Sequence, residues 1–175
     1  MNLYSKSNLK LLSFLCRITG RMYEREIARA SGISIGAVNQ SLKEFLEKGI
    51  VEREKKGRMY FYRVNHEKAL VRQFKIFLTV FELDELVNSV KEKCGKIVLF
   101  GSCAEGTDAA GSDVDVLFLT REKKEVGKKI AGFAGKQQRK LSAAVFSPSE
   151  WLEIKKKNPA FYNEASNGIV LWRKL

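Results

Sequence analysis

Between Phe100 and Leu119 the chain reads FGSCAEGTDAAGSDVDVLFL, and no other stretch limits its fold so tightly. The apolar run at residues 97–100 has the composition of a buried strand and delivers Gly101-Ser102 into a turn. Glycine at that point lets a backbone approach a phosphate closely, and the Ser102 hydroxyl with nearby amides offers donors to its oxygens. After ten intervening residues Asp113 and Asp115 enter a second strand, residues 114–119. Side chains at i and i+2 of a strand share a face, so both carboxylates point to one place while Val114 and Val116 turn to the core. Two carboxylates that close repel unless a cation bridges them, and hard oxygen ligands suit Mg²⁺ carried with a nucleoside triphosphate. Held phosphates and a metal ion are what in-line nucleotidyl transfer requires.

The rest of the C-terminal half reads as a mixed sheet with flanking helices. A basic helix is expected over residues 122–131, a strand over 141–146, helical pattern over 149–165 and a short strand over 169–172. Trp151, Phe161, Tyr162 and Trp172 are expected to pack around the last helices, and Cys103 to be a small filler. Lys123, Lys124, Lys128 and Lys129 read as a solvated helix face.

The N-terminal segment has a different pattern. Leu11, Leu12, Leu15 and Ile18 recur at helical spacing behind Ser7, a candidate N-cap, and Gly20 ends the run. A second helix covers residues 23–31, with Tyr23, Ile27 and Ala30 facing inward. Gly32-Ile33-Ser34 then makes a tight turn whose serine caps a third helix, with Val38, Leu42, Phe45 and Leu46 as its apolar stripe. Residues 50–54 and 59–64 form a hairpin through Lys55-Lys56-Gly57-Arg58. Three helices and a basic hairpin describe a winged helix-turn-helix. The third helix presents Asn39 and Gln40, which can bond adenine, and Lys43, which reaches phosphate or guanine. Ser34 with the amides at the helix start offers a phosphate contact, and Lys55, Lys56 and Arg58 have the composition of a wing lying along a DNA backbone. Through SGISIGAVNQSLKEFLEKGIVEREKKGRMYFYRV the segment resembles the winged-helix domains of bacterial and archaeal transcription regulators.

The expected fold is therefore α/β (α+β), in three parts. Residues 1–65 form the winged helix-turn-helix, 66–94 a helical connector, and 95–175 the mixed-sheet domain. In the connector Leu70, Phe74, Phe77 and Phe81 keep one face, equally suited to a core or to a homodimer interface. Charge follows the same division: +7 over residues 1–65, zero over 66–95 and +5 over 96–175. A total of +12 suggests a polyanionic partner. His66 is the single histidine, expected on the surface at the start of the connector, and it leaves little room for Ser-His, Cys-His or multi-histidine chemistry. The three cysteines show no paired spacing, and no stretch is apolar enough to span a bilayer or to serve as a leader, so a cytoplasmic protein is expected.

Gly-Ser, ten residues and Asp-x-Asp, each on the correct strand edge, resemble the DNA polymerase beta-like nucleotidyltransferase superfamily, in particular its minimal prokaryotic members. The resemblance covers roughly residues 95–175. It implies Gly101 and Ser102 as the phosphate loop, Asp113 and Asp115 as catalytic metal ligands, Mg²⁺ as cofactor, and ATP or another NTP as substrate or ligand. It also implies a partner protein, since minimal members include antitoxins paired with HEPN-domain toxins. Two positions depart from the family pattern. Glu105 stands where a basic residue is frequent, and Ser142 stands where the next strand usually carries a third carboxylate that can act as general base. Glu150 and Glu164 are the nearest downstream acids. Two readings follow: a DNA-binding nucleotidyltransferase that modifies a partner hydroxyl, or a transcriptional regulator or antitoxin whose degenerate domain binds nucleotide or partner without turnover.

Overall fold

The computed structural model describes residues 5–135 and 139–174, and the chain divides into two compact units, Met1–Lys75 and Ile76–Leu175. The first unit opens with α1 (Lys6–Arg17). Ser5, not Ser7, caps it, its hydroxyl accepting the Asn8 amide at 3.2 Å, because Ser7 already lies within the first turn. Strand β1 (Met22–Tyr23) leads into α2 (Glu24–Ser31), which ends at Gly32 in the left-handed region (φ 63°). In α2 the buried residues are Ile27 and Ser31, while Ala30 is exposed. The packed stripe steps by four residues from Ile27 rather than by three. Helix α3 (Ile35–Glu47) begins at Ser34, whose hydroxyl accepts the Ala37 amide at 3.4 Å.

Strands β2 (Val51–Lys56) and β3 (Met59–Val64) pair antiparallel, and β1 joins the other edge of β3, giving the order β1-β3-β2. The hairpin is tighter than expected: Lys56 pairs with Met59, so Gly57 and Arg58 alone make the turn. Gly57 has φ 60°, the positive value that a two-residue Gly-X turn needs at its first position. Leu11, Leu12, Leu15, Ile27, Val38, Leu42, Phe45 and Ile50 are buried together with Tyr62 and Val64. Full burial of each aliphatic or aromatic side chain contributes about 1.5–3 kcal/mol.

Helix α4 (Ala69–Val90) is one continuous helix, followed by a 3₁₀ turn at Lys91–Lys93. It starts three residues after His66 because the Asn65 side chain accepts the Glu67 amide at 3.1 Å and shapes a turn there. Leu83, Leu86, Val87 and Val90 are buried, whereas Phe77 and Phe81 are exposed and stack on one another, centroids 6.2 Å apart.

The second unit is built on β4 (Cys94–Phe100), β5 (Val114–Thr120), β6 (Leu141–Phe146) and β7 (Ile169–Arg173), in the order β6-β5-β4-β7. Only β5 and β6 run parallel, joined through α6 (Lys123–Ala134), since parallel neighbours need a crossover. One face of the sheet packs Ile97, Leu99, Val116 and Phe118 against Leu86 and Val90 of α4 and Val126 and Ile130 of α6. The other packs Val98, Phe100 and Leu117 against Trp151 of α7 (Pro148–Lys157) and Ala165 of α8 (Pro159–Ser166). The helical pattern of residues 149–165 is thus two helices, divided where Pro159 opens α8 and Asn158 caps it by accepting the Phe161 amide. Trp151 stacks on Tyr162 at 4.7 Å, and Phe161 sets its ring edge-on to Phe100 and Trp151. Trp172 turns to the opposite face of the sheet, with Lys91 over its ring.

Glu150 is fully engaged by this architecture. Its carboxylate accepts the Ser147 amide at 2.7 Å and meets Lys123 at 2.9 Å, closing a capping box at the start of α7. The Ser147 amide, with Lys123, holds the carboxyl down to about 2. A group depressed in the folded state stabilises above its unfolded pKa and loses that contribution as pH falls through the folded value. Replacing Glu150 by Gln is therefore expected to lower the melting temperature at neutral pH. The difference from wild type should shrink between roughly pH 5 and pH 2 in thermal melts.

Candidate nucleotide site and nucleic-acid interface

The candidate nucleotide site lies where the end of β4 meets the start of β5. Phe100 pairs with Asp115 across the ladder, and the chain then turns sharply at Gly101, with φ 66° and ψ −160°. A Cβ added at Gly101 would lie 2.9 Å from Oδ2 of Asp115, so the turn and the carboxylate share one small space. Ser102, half-buried, opens the short helix α5 (Ser102–Glu105), and the buried Cys103 donates its thiol to the Asp113 carbonyl at 3.3 Å. Burial pushes that thiol up, which fits a packing role rather than a reactive one. Asp113 lies just before β5 and Asp115 is its second residue; both are partly exposed.

Three residues not singled out from sequence complete the rim. Arg139 donates to the buried Asp108 at 3.1 Å, to the Ser112 carbonyl at 3.3 Å and to the Cys103 sulfur at 2.9 Å. Its neighbour Lys140 brings Nζ within 2.7 Å of Oδ2 of Asp113. That bond, with the field of Asp113 and then of Asp115, raises the Lys140 ammonium above the ordinary lysine range. Asp113 and Asp115, two residues apart at the start of β5, stand on one side of that strand. The missed residues carry no local signal: Asp108 and Asp113 stand 31 and 27 positions from their cationic partners.

Asp115 lies in parallel register with Ser142. The neighbouring strand therefore offers a hydroxyl where a third carboxylate would face the same patch. Glu150 is held in the α7 cap, and Glu164 is exposed on α8. Among the described residues no group of three or more His, Cys, Asp or Glu side chains is placed to hold a metal ion. The two carboxylates offer the hard oxygen ligands that a divalent ion takes, too few to hold one without further ligands.

In the first unit Lys43 is exposed on α3, and Lys55, Lys56 and Arg58 are exposed at the hairpin tip. Lys55 stands over the Tyr60 ring at 6.0 Å, with Arg53 nearer at 4.3 Å, so the hairpin carries a basic and aromatic surface. Asn39 and Gln40 are exposed too, but both amides already donate within the chain. Asn39 bonds Glu24 at 3.2 Å and Gln40 bonds Glu44 at 2.9 Å. Ser34 is engaged as the α3 cap.

Residues 5–52 match the family described as winged helix-turn-helix DNA-binding, and residues 83–169 match the family described as nucleotidyltransferase domain. The chain joins a winged helix-turn-helix DNA-binding domain to a nucleotidyltransferase domain. A nucleotidyltransferase domain works in general with a nucleoside triphosphate and a divalent metal ion. Among solved structures the chain is similar to the antimony-specific transcriptional repressor AntR, with 26% identity over 47% of this chain and 73% of that one, TM-score 0.41. It is also similar to the winged helix-turn-helix domain of a possible ArsR-family regulator from Mycobacterium bovis, with 24% identity over the same shares and a TM-score of 0.40. No curated protein matches the chain. Among the described residues no helix is long and apolar enough to cross a membrane.

Each domain yields an expectation. In the nucleotidyltransferase domain, Gly101→Ala sets a Cβ against the Asp115 carboxylate at a backbone conformation that alanine resists, costing about 1–2 kcal/mol. Because the Asp115 carboxylate must shift to make room, the substitution should weaken metal-dependent nucleotide binding in calorimetry. In the winged helix, removing Lys55, Lys56 and Arg58 together should reduce the salt slope of DNA binding by up to about three units, read by fluorescence anisotropy at several salt concentrations.

Proposed function

We propose that this is a DNA-binding protein of the cytoplasm whose second domain binds a Mg²⁺–NTP, ATP or another, and transfers its nucleotidyl group to a hydroxyl of a partner. The observation that carries this reading is the contact between Gly101 and Asp115: the loop that would cradle phosphate has no side chain where the metal-binding carboxylate stands. Gly101 lets the loop backbone approach the phosphates, and the Ser102 hydroxyl bonds their oxygens. Asp113 and Asp115 would hold the Mg²⁺ ion, which when bound supplies positive charge against the phosphate oxygens. The acceptor oxygen attacks the α-phosphorus, a new P–O bond forms, and the bond to the bridging oxygen breaks to release pyrophosphate. The acceptor proton leaves to water. The winged helix, through Lys43, Lys55, Lys56 and Arg58 on phosphates and Asn39 or Gln40 on a base edge, holds the protein at its DNA site. Asn39 and Gln40 exchange Glu24 and Glu44 for the base when they do so.

A second reading rests on Ser142. Ser142, in register with Asp115, offers a hydroxyl rather than a carboxylate to take the acceptor proton. On this reading the second domain binds nucleotide, or a partner such as a HEPN-like toxin, and signals to the DNA-binding domain without turnover.

Incubation with Mg²⁺ and α-³²P-labelled ATP, with and without proteins encoded beside the gene, separates the two. Label on a protein, lost in Asp113→Ala/Asp115→Ala, is the expected result for a transferase. Metal-dependent ATP binding without label establishes the sensor, and absence of both overturns the nucleotide site.

A further inference from the structure

We propose that Lys140 is a tethered counter-cation of the Asp113–Asp115 pair, which a divalent ion must displace before it can enter. The inference rests on the reading of that pair as the metal site and adds a regulation to it. Its Nζ lies 2.7 Å from the Asp113 carboxylate, the position that a metal ion would contest. No other cation is paired with Asp113 or Asp115 among the ion pairs of the described residues.

An exposed lysine ordinarily gains little from such a pair, because ordering its stem offsets the attraction. Here the backbone on both sides of the ammonium's stem is already anchored. Arg139 is held by Asp108, by the Ser112 carbonyl and by Cys103, and the Lys140 carbonyl accepts the Val114 amide at 2.8 Å. Both sides of the pair are therefore delivered to one spot: Asp113 by the start of β5, Lys140 by the residue preceding β6. Two carboxylates without a third leave two negative charges at the patch, and one ammonium neutralises half of that charge. A dication entering the site meets this ammonium as a like charge, so the empty site is protected by its own strand edge.

The test uses the full-length protein and Mn²⁺, an oxygen-seeking ion whose free form is read directly by electron paramagnetic resonance, without nucleotide. Lys140→Gln removes the charge from a side chain that is 76% exposed, so the core is untouched. It is expected to tighten Mn²⁺ binding about three- to fivefold, with the gain fading as salt rises. Lys140→Arg keeps the charge and should bind as wild type does. Adding Asp115→Asn to Lys140→Gln should abolish the tight binding. Equal or weaker binding by Lys140→Gln, with binding still lost on Asp115→Asn, overturns the counter-cation while leaving the metal site. Tight binding that survives Asp115→Asn, or no binding by any variant, overturns the metal-site reading itself and the counter-cation with it.

Discussion

The site of the second domain depends on one arginine that pairs with a buried carboxylate at its base. Arg139 reaches Asp108, the Ser112 carbonyl and the Cys103 sulfur at once, and the Asp108 side chain is only 8% exposed. Removing Arg139 would leave the buried Asp108 carboxylate without this cation, a costlier loss than that of a surface contact. What this pair holds is specific. Asp108 and Ser112 lie on the loop between the Gly-Ser turn and β5, Cys103 lies in α5, and Arg139 lies just before β6. One guanidinium thus ties together the Gly-Ser turn, the entry of Asp113 and the start of the neighbouring strand. Arginine suits the task because its fork of donors serves several acceptors in fixed geometry, whereas a lysine would serve them as a point charge.

Charge around the patch follows from that anchor. Arg139 is turned inward and spends its charge on Asp108, while Lys140, one residue on, turns outward to Asp113. The strand that follows contributes Ser142 beside Asp115 and no further acid. The acids downstream lie elsewhere in the structure: Glu150 closes the α7 cap with Ser147 and Lys123. The patch therefore keeps two carboxylates and the Lys140 ammonium paired with one of them, a balance suited to an ion that brings its remaining ligands with a nucleotide.

The DNA-binding domain shows a parallel economy. Its hairpin turn needs only Gly57 in the positive-φ region, which leaves Lys55, Lys56 and Arg58 at the tip with nothing to bury. On α3 the amides that could read a base are held by Glu24 and Glu44. Phosphate contacts made by the tip disturb only a long Lys56–Glu54 ion pair at 3.8 Å and the Lys55–Tyr60 contact, whereas base contacts by Asn39 or Gln40 exchange one hydrogen-bond partner for another. Backbone binding is accordingly the stronger expectation from this surface, and base readout carries a penalty of exchange.

Much of this was determined by local sequence. The period of Val38, Leu42 and Phe45, the glycines at 32, 57 and 101, and the i, i+2 spacing of Asp113 and Asp115 each act within a few residues. Helix period, turn conformation and strand alternation are properties of that range, whereas the position of Ser142 beside Asp115 is set by the register of β5 on β6 and was expected only through the family resemblance. Local pattern was less sure where two periods competed, as with Ala30 against Ser31 or the capping of α1 by Ser5 rather than Ser7. Its expectation that Trp172 packs around the last helices fails, because β7 turns that ring to the α4 and α6 face of the sheet, and it left open whether Phe77 and Phe81 would be covered. Tertiary structure alone decided the pairing of Arg139 with Asp108, of Lys140 with Asp113 and of Lys123 with Glu150. Those partners are 27 to 31 residues apart, and in a chain with 32 basic residues no local feature marks which cation meets which acid. Only the register of β5 on β6 and the return of the chain through α6 bring them within bonding distance, because a salt bridge is set by position in space and leaves no period in the sequence.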